Sequence, residues 1–549
     1  MKSIILGPLL WKTLLFCGIT LSGSCQSTST SERAKINSDH PNPRMHFYLV
    51  DSEFSDATAL TKVFDEELKK FGQSKYEALK PLILDKDIPT IQRSIRSKKL
   101  SYRELTLFFL YRIQKYESNP GTRLNAIIAL HPDALQEAER CDRIFQSTGE
   151  IPHEIFGMPI LVKDNIGVAS IPTTAGAVVL ADHRPGDAFI IQKLKSQGAI
   201  ILGKTNLSEW AYYFCTGCPL GYSAVGGQSL NPHGRFKFET GGSSSGSGTA
   251  IAAQYAIAAI GTETSGSILS PASLNSIVGL KPTVGLLSRS GIVPISSTLD
   301  TPGPMTKFVV DNLILLEAME GQDSTDPASF APVLHPVTLA PKLAQIQGKR
   351  MGIFDVLKDN PNFQRLAAEW QKNGGEVVYV SAELPDLNGF LSILNLDMRR
   401  DIPAYFDRFP NTNPAVGSIE EIIAFNEKSM EKYAPYGQRL FELLVQDTTS
   451  EANLLKIKQT LKKACQDFFN ETMIEHKLSL LLSMNNAHAA VAALAHFPAI
   501  TVPIGAGENG EPQGATIIMP GKQESDLLYW AGHLELLMQA RISPMGYRD

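Results

Sequence analysis

Cysteine is scarce in this chain, with six in 549 residues, and that scarcity excludes a fold scaffolded by disulfides. The six stand at positions 17, 25, 141, 215, 218 and 465. Cys215 and Cys218 make a CxxC, but no second CxxC and no nearby histidine pair complete a zinc-binding spacing, so no metal site is expected. The flanks of the CxxC are not thioredoxin-like, and the spacing leaves a local disulfide or two thiols open. Charge of one sign is also missing. Lys plus Arg is 51 and Asp plus Glu is 56, a net charge of −5 with no long single-sign run, which argues against a nucleic-acid partner. There is no internal repeat, which excludes solenoids and propellers. What remains, 43% hydrophobic and 19% charged residues, suits a packed interior under an ordinary wet surface. The length admits two or three domains, or one large α/β domain with insertions.

The amino terminus has its own texture. Lys2 and Lys12 precede an apolar stretch from Thr13 to Leu21, and the small residues Ser22, Gly23 and Ser24 then lead to Cys25. That is the order of a secretion signal, too short to span a bilayer as an anchor. Followed by the polar QSTSTSE, it resembles a bacterial lipoprotein signal, in which the cysteine is lipidated and becomes the first residue. It departs from that pattern at Ser22, where leucine is usual. The expectation is a signal over 1–24, a lipid anchor on Cys25, a polar tether over 25–56, and export to the periplasm or cell envelope.

Farther along, Ala57 to Leu84 alternates apolar and charged residues at helical spacing, which predicts surface helices in an N-terminal extension over 57–87. Ile88 to Tyr116 carries apolar residues three and four apart, with Ser101 three residues before Glu104, which predicts two amphipathic helices, the second with a capping box. Between Ile155 and Leu202 the texture changes to short apolar runs such as Pro159–Val162 and Ala199–Leu202, with helical-period segments between them. Such runs are what buried strands look like, so the class is α/β. Residues 310–480 are richer in charge and helical period and predict a largely helical elaboration. Buried-strand texture returns at Ala499–Pro503 and Gly514–Met519.

The most unusual stretch is GGSSSGSGTAIAAQYAIAAIGTETSGSILSPASLNSIVGLKPT, from Gly241 to Thr283. Gly/Ser clusters enclose a run of small apolar residues, and a flexible linker carries no such buried-helix pattern. A GGSS-type turn, an Ala-rich segment, a GT[DE]-x-x-GS turn and a GxKPT ending follow one another here. GMPILVKDN stands upstream at Gly157–Asn165, and HFPAITVPIG and PQGATIIMPGKQESDLLYWAGHLE stand downstream. On these motifs the chain resembles the amidase signature family of serine hydrolases, over about residues 88–541. The resemblance implies a large mixed central sheet flanked by helices on both faces, no metal or organic cofactor, and a small-molecule or peptide amide as substrate. Residue by residue, it makes Ser267 the nucleophile, Ser243 a bridging serine after a cis peptide with Gly242, and Lys163 the base. The backbone N–H groups of Thr264, Ser265, Gly266 and Ser267 become the oxyanion hole. Ser265 stands where glycine is commoner, and Leu269 where arginine is frequent.

Such a set works without histidine only if the lysine is uncharged. A serine hydroxyl is a weak nucleophile until a base within about 2.6–3.2 Å, or one relay away, takes its proton. Bringing a lysine from its usual pKa to neutrality requires roughly 4 kcal/mol in favour of the free amine, which burial supplies. The run Pro159–Val162 places Lys163 at the end of an apolar strand, although Asp164 would oppose the shift if it pointed inward. Asp300 and Glu263 are expected to brace the catalytic turn, and the histidines, including His488 and His496, to be structural. Tyr212, Tyr213, Phe214 and Tyr222 are candidate walls of a substrate pocket, with plain core packing as the other reading. The expected activity is an exported amidase releasing ammonia or an amine from an acyl-enzyme. A glutaminase-like amidotransferase subunit and a non-catalytic amide-binding lipoprotein are the alternatives, and oligomeric state is not legible.

Overall fold

Short apolar runs become the strands of one large sheet. In the computed structural model, which describes residues 35–332, 341–411 and 416–548, the chain forms β1 (Ile127–Leu130), β2 (Pro159–Lys163) and β3 (Ile200–Thr205). A small hairpin of β4 (Tyr222–Ser223) and β5 (Gly227–Gln228) follows. The sheet resumes with β6 (Ala258–Glu263), β7 (Val278–Lys281), β8 (Thr301–Thr306), β9 (Arg350–Phe354) and β10 (Glu376–Val380), and ends with β11 (Leu480–Met484), β12 (Ala499–Ala506) and β13 (Pro512–Ile518). Its eleven strands lie in the order β1, β3, β2, β6, β8, β7, β12, β13, β11, β9, β10. β2 pairs in parallel with β3 and β6, and β9 with β10 and β11, while β6 through β11 along the sheet pair antiparallel. The fold is therefore mixed α/β. β2, β3 and β6 are buried at every residue, which requires cover on both faces.

Local signals account for several helices. Ser101 caps Tyr102–Glu117 in a reciprocal capping box with Glu104, as the spacing predicts. The helix Ser245–Ala252 is buried throughout because its residues are small. A Cβ on Gly246 would lie 2.5 Å from the backbone N and O of Asn206, so only glycine permits this approach to the end of β3.

One expectation is revised and two are refined. The tether proposed for 25–56 is, over 35–56, a packed strap. Ile36 and Phe47 pair as an antiparallel bridge, Met45 and Phe47 are buried, and the Tyr48 N–H donates to Tyr436 Oη at 2.7 Å. Residues 45–50 read MHFYLV, an apolar run too short to stand out from its polar flanks, and Met45 and Phe47 within it each find a recess in the body. The extension over 57–87 contains the helix Asp65–Ile83, which keeps an exposed face and packs the other: Leu68, Phe71, Tyr76, Leu79 and Ile83 are buried, and Tyr76 stacks on Phe108 at 4.7 Å. The elaboration at 310–480 is largely helical, and within it β9 and β10 extend the sheet at its far edge. β10 carries the apolar run Val377–Val380, yet it is exposed or half-buried at four of its five positions because it lies at the edge of the sheet. The signal and Cys25 lie outside the described residues. Among the described residues, no helix is long and apolar enough to cross a membrane.

Candidate active site

β2 is apolar until its last residue, and its position between β3 and β6 buries that residue completely: Lys163 is 0% exposed. Its Nζ lies 2.8 Å from Ser243 Oγ, 2.8 Å from Thr262 Oγ1 and 3.1 Å from Thr262 O. Burial lowers the lysine pKa from 10.5 to about 7, against the opposing charges of Asp300 and Glu263. A neutral amine has two N–H donors and one lone pair. With both donors on the two Thr262 oxygens, the lone pair is left for the Ser243 hydroxyl proton. Asp164 turns elsewhere, to a wholly buried ion pair with Lys204 at 2.8 Å and to the Thr174 N–H at 3.0 Å.

Ser243 follows a cis peptide with Gly242, as the family resemblance implies. Its carbonyl accepts from the Ser208 N–H at 3.0 Å. Ser244 then ties this turn to the next one, donating from Oγ to Thr262 O at 3.1 Å and from N to Ser267 O at 3.1 Å. Thr262 is therefore a hub. Its Oγ1 also accepts from Asn165 Nδ2 at 3.0 Å, and neither residue stood out in the sequence, although both lie inside the motifs quoted there.

The turn after β6 carries Ser267, which is 8% exposed. Gly266 adopts φ of 88°, and a Cβ there would lie 3.1 Å from Asn486 Nδ2, so this position favours glycine. Glu263 Oε2 accepts from the N–H groups of Ile268 and Leu269 at 2.7 and 3.0 Å. Asp300 accepts from Thr264 Oγ1 at 2.5 Å and from the N–H groups of Ile295 and Ser296 at 2.8 and 2.9 Å. Burial raises the Asp300 carboxyl to about 6, opposed by these bonds. Both acids brace the turn, as expected. Among the described residues, the N–H groups of Ser265, Gly266 and Ser267 have no protein acceptor, and they stand together on one tight turn. Thr262, Thr264, Asn165, Asp300, Ala211 and Arg289 help to line a small cavity.

The four aromatic candidates separate. Tyr212, Phe214 and Tyr222 line a second small pocket together with Glu209, Tyr436 and the disulfide that joins Cys215 to Cys218. Tyr213 lines neither cavity: its hydroxyl donates to Asn395 Oδ1 at 2.5 Å and its ring is buried. Position next to a pocket-lining residue does not decide which way a side chain faces. His488 Nδ1 lies 2.6 Å from Ser483 Oγ, and burial lowers the pKa of His488 and His496 to about 4 and about 3.

A family model described as Amidase matches residues 104–475, a span that holds Lys163, Ser243 and Ser267. This chain belongs to the amidase family. The amidase is 33% identical over 452 residues to a probable amidase of Arabidopsis thaliana, covering 79% of this chain and 86% of that one. Its fold superposes with a TM-score of 0.84 on an amidase family protein from Bacillus anthracis, at 33% identity, covering 90% of this chain and 99% of that one. A peptide amidase from Stenotrophomonas maltophilia superposes with a TM-score of 0.77, also at 33% identity, over 84% of this chain and 98% of that one.

Proposed function

We propose that this amidase hydrolyses a carboxamide C–N bond through an acyl-enzyme on Ser267. The observation that carries the reading is the wholly buried Lys163 amine, with a pKa lowered to about 7, at 2.8 Å from Ser243 Oγ. Lys163 takes the Ser243 hydroxyl proton while Ser243 takes that of Ser267, and Ser267 Oγ attacks the substrate carbonyl carbon. The oxyanion is met by the N–H groups of the turn from Thr264 to Ser267, each donor of this kind being worth about 2.7–4 kcal/mol. Collapse returns the proton from Lys163 through Ser243 to the leaving nitrogen. Ammonia or an amine departs, and water, activated by the same relay, cleaves the ester and frees Ser267. No step requires a cofactor.

Labelling with a fluorophosphonate serine probe tests the reading. Trypsin leaves both serines on one peptide, Phe238 to Arg289, so fragmentation must separate Ser243 from Ser267. An adduct on Ser267 that is lost in Lys163→Ala supports the mechanism. An intact, folded protein that takes no adduct and turns over no amide would favour the binding-protein reading. Small peptide amides are the first substrate class to screen, on the likeness to the peptide amidase. The amino-terminal pattern supports export with a lipid on Cys25. Metabolic labelling with palmitate, lost in Cys25→Ala, tests that point.

A further inference from the structure

Trp210, Ala211 and Tyr212 adopt φ of 50°, 54° and 77° in succession. Three consecutive side-chain-bearing residues in the left-handed region persist only where their surroundings over-determine them. The Ser208 N–H on Ser243 O at 3.0 Å, the Trp210 N–H on Ala175 O at 2.9 Å and Tyr212 Oη on Cys218 O at 2.9 Å hold this turn, and the Cys215–Cys218 disulfide closes the loop behind it. The turn borders both cavities. Ala211 lines the one shared with Thr262 and Thr264, while Glu209 and Tyr212 line the aromatic pocket.

Glu209 is the unusual member of that pocket. It is 5% exposed, one carboxyl oxygen accepts the Ala224 N–H at 2.9 Å, and the other has no partner among the described residues. Arg44, on the strap, is already paired with Glu239 at 2.9 Å. Aromatic rings from Tyr212, Phe214, Tyr222 and Tyr436 make up much of the remaining wall. The Tyr212 hydroxyl donates to Cys218 O and also meets the Arg44 guanidinium, and the Tyr436 hydroxyl accepts the Tyr48 N–H. Rings around a carboxylate form a site for a positive charge, because the ring faces attract cations and the acid supplies the counter-charge.

We propose that this pocket binds the ammonium group of the substrate, so that the preferred amides carry a primary amine at a fixed distance from the scissile bond. The inference rests on the reading of Ser267 as the reacting centre. Without a ligand, burial holds the Glu209 carboxyl well above the usual range. An entering ammonium ion is the partner that stabilises its ionised form.

The full-length enzyme is assayed on ω-amino carboxamides of increasing chain length and on their N-acetylated counterparts. At one chain length, kcat/KM is expected to favour the charged amide at least tenfold, mostly through KM, and Glu209→Gln is expected to bring the ratio close to one. Binding is read separately by thermal shift. Alkylammonium ions raise the wild-type melting temperature more than alcohols of equal length, and this difference shrinks in Glu209→Gln and in Tyr436→Leu. Equal kcat/KM across both series together with equal thermal shifts would overturn the proposal. Ammonium-specific stabilisation with no turnover of any amide would overturn the hydrolase reading and leave the pocket assignment standing.

Discussion

The uncharged state of Lys163 can be tested from kinetics and stability together. A free lysine holds its proton to pH 10.5, and burial beside Thr262 brings this one to about 7. At 1.36 kcal/mol per pKa unit, the native state therefore disfavours the ammonium by about 5 kcal/mol. Because only the neutral amine accepts the Ser243 proton, kcat/KM should fall about tenfold per pH unit below 7 and level off above it. Stability moves in the same direction. From pH 7 to 10.5 the unfolded chain holds a proton on this lysine that the folded chain lacks, so the penalty, complete below pH 7, is relieved as pH rises. In Lys163→Met the penalty is absent. Other groups titrate in that range, so the quantity to read is wild type minus variant. By urea denaturation, that difference should narrow by several kcal/mol between pH 7 and pH 10, while turnover in the variant falls about 10²–10⁴-fold. A kcat/KM profile with no inflection below pH 9, or a stability difference independent of pH, would refute the assignment of Lys163 as a neutral base.

Thr262→Val removes the oxygen that accepts from both Lys163 and Asn165. It should cost about 1–3 kcal/mol in stability and lower kcat more than it raises KM, read by denaturation and steady-state kinetics. Gly266→Ala forces a side chain to φ of 88° and against Asn486. A loss of about 1–3 kcal/mol is expected, with slowed fluorophosphonate labelling of Ser267. Phe47→Ala empties a site that is 1% exposed and should cost about 3–5 kcal/mol. An unchanged melting temperature would mean that residues 35–56 are a tether after all. Asp300→Asn removes a negative charge that holds the Lys163 pKa up, so the acidic limb of kcat/KM should move to lower pH.

The reach of the sequence follows from what each signal encodes. The α/β class, the Ser101 cap and the buried position of Lys163 were legible because apolar runs and capping residues act over a few neighbouring positions. β10 was not, although Val377–Val380 is a continuous apolar run, because so short a run is outweighed by the charge and helical period of the segments on either side of it. The strap at 35–56 was misread for a related reason, since Met45 and Phe47 become core residues only when the rest of the chain supplies their recess.

By itself, the sequence determined the motif order and hence the family, the candidate residues Lys163, Ser243 and Ser267, and the apolar strand that takes the lysine out of water. Only the tertiary structure decided which groups meet across the chain. Thr262 became the hub of the lysine's hydrogen bonds, Asp164 was turned to Lys204, and Tyr212 and Tyr213 were sent to different surroundings. The physical reason is that burial along a strand or helix follows from local periodicity, whereas the direction and partner of a polar or aromatic side chain depend on segments tens to hundreds of residues away.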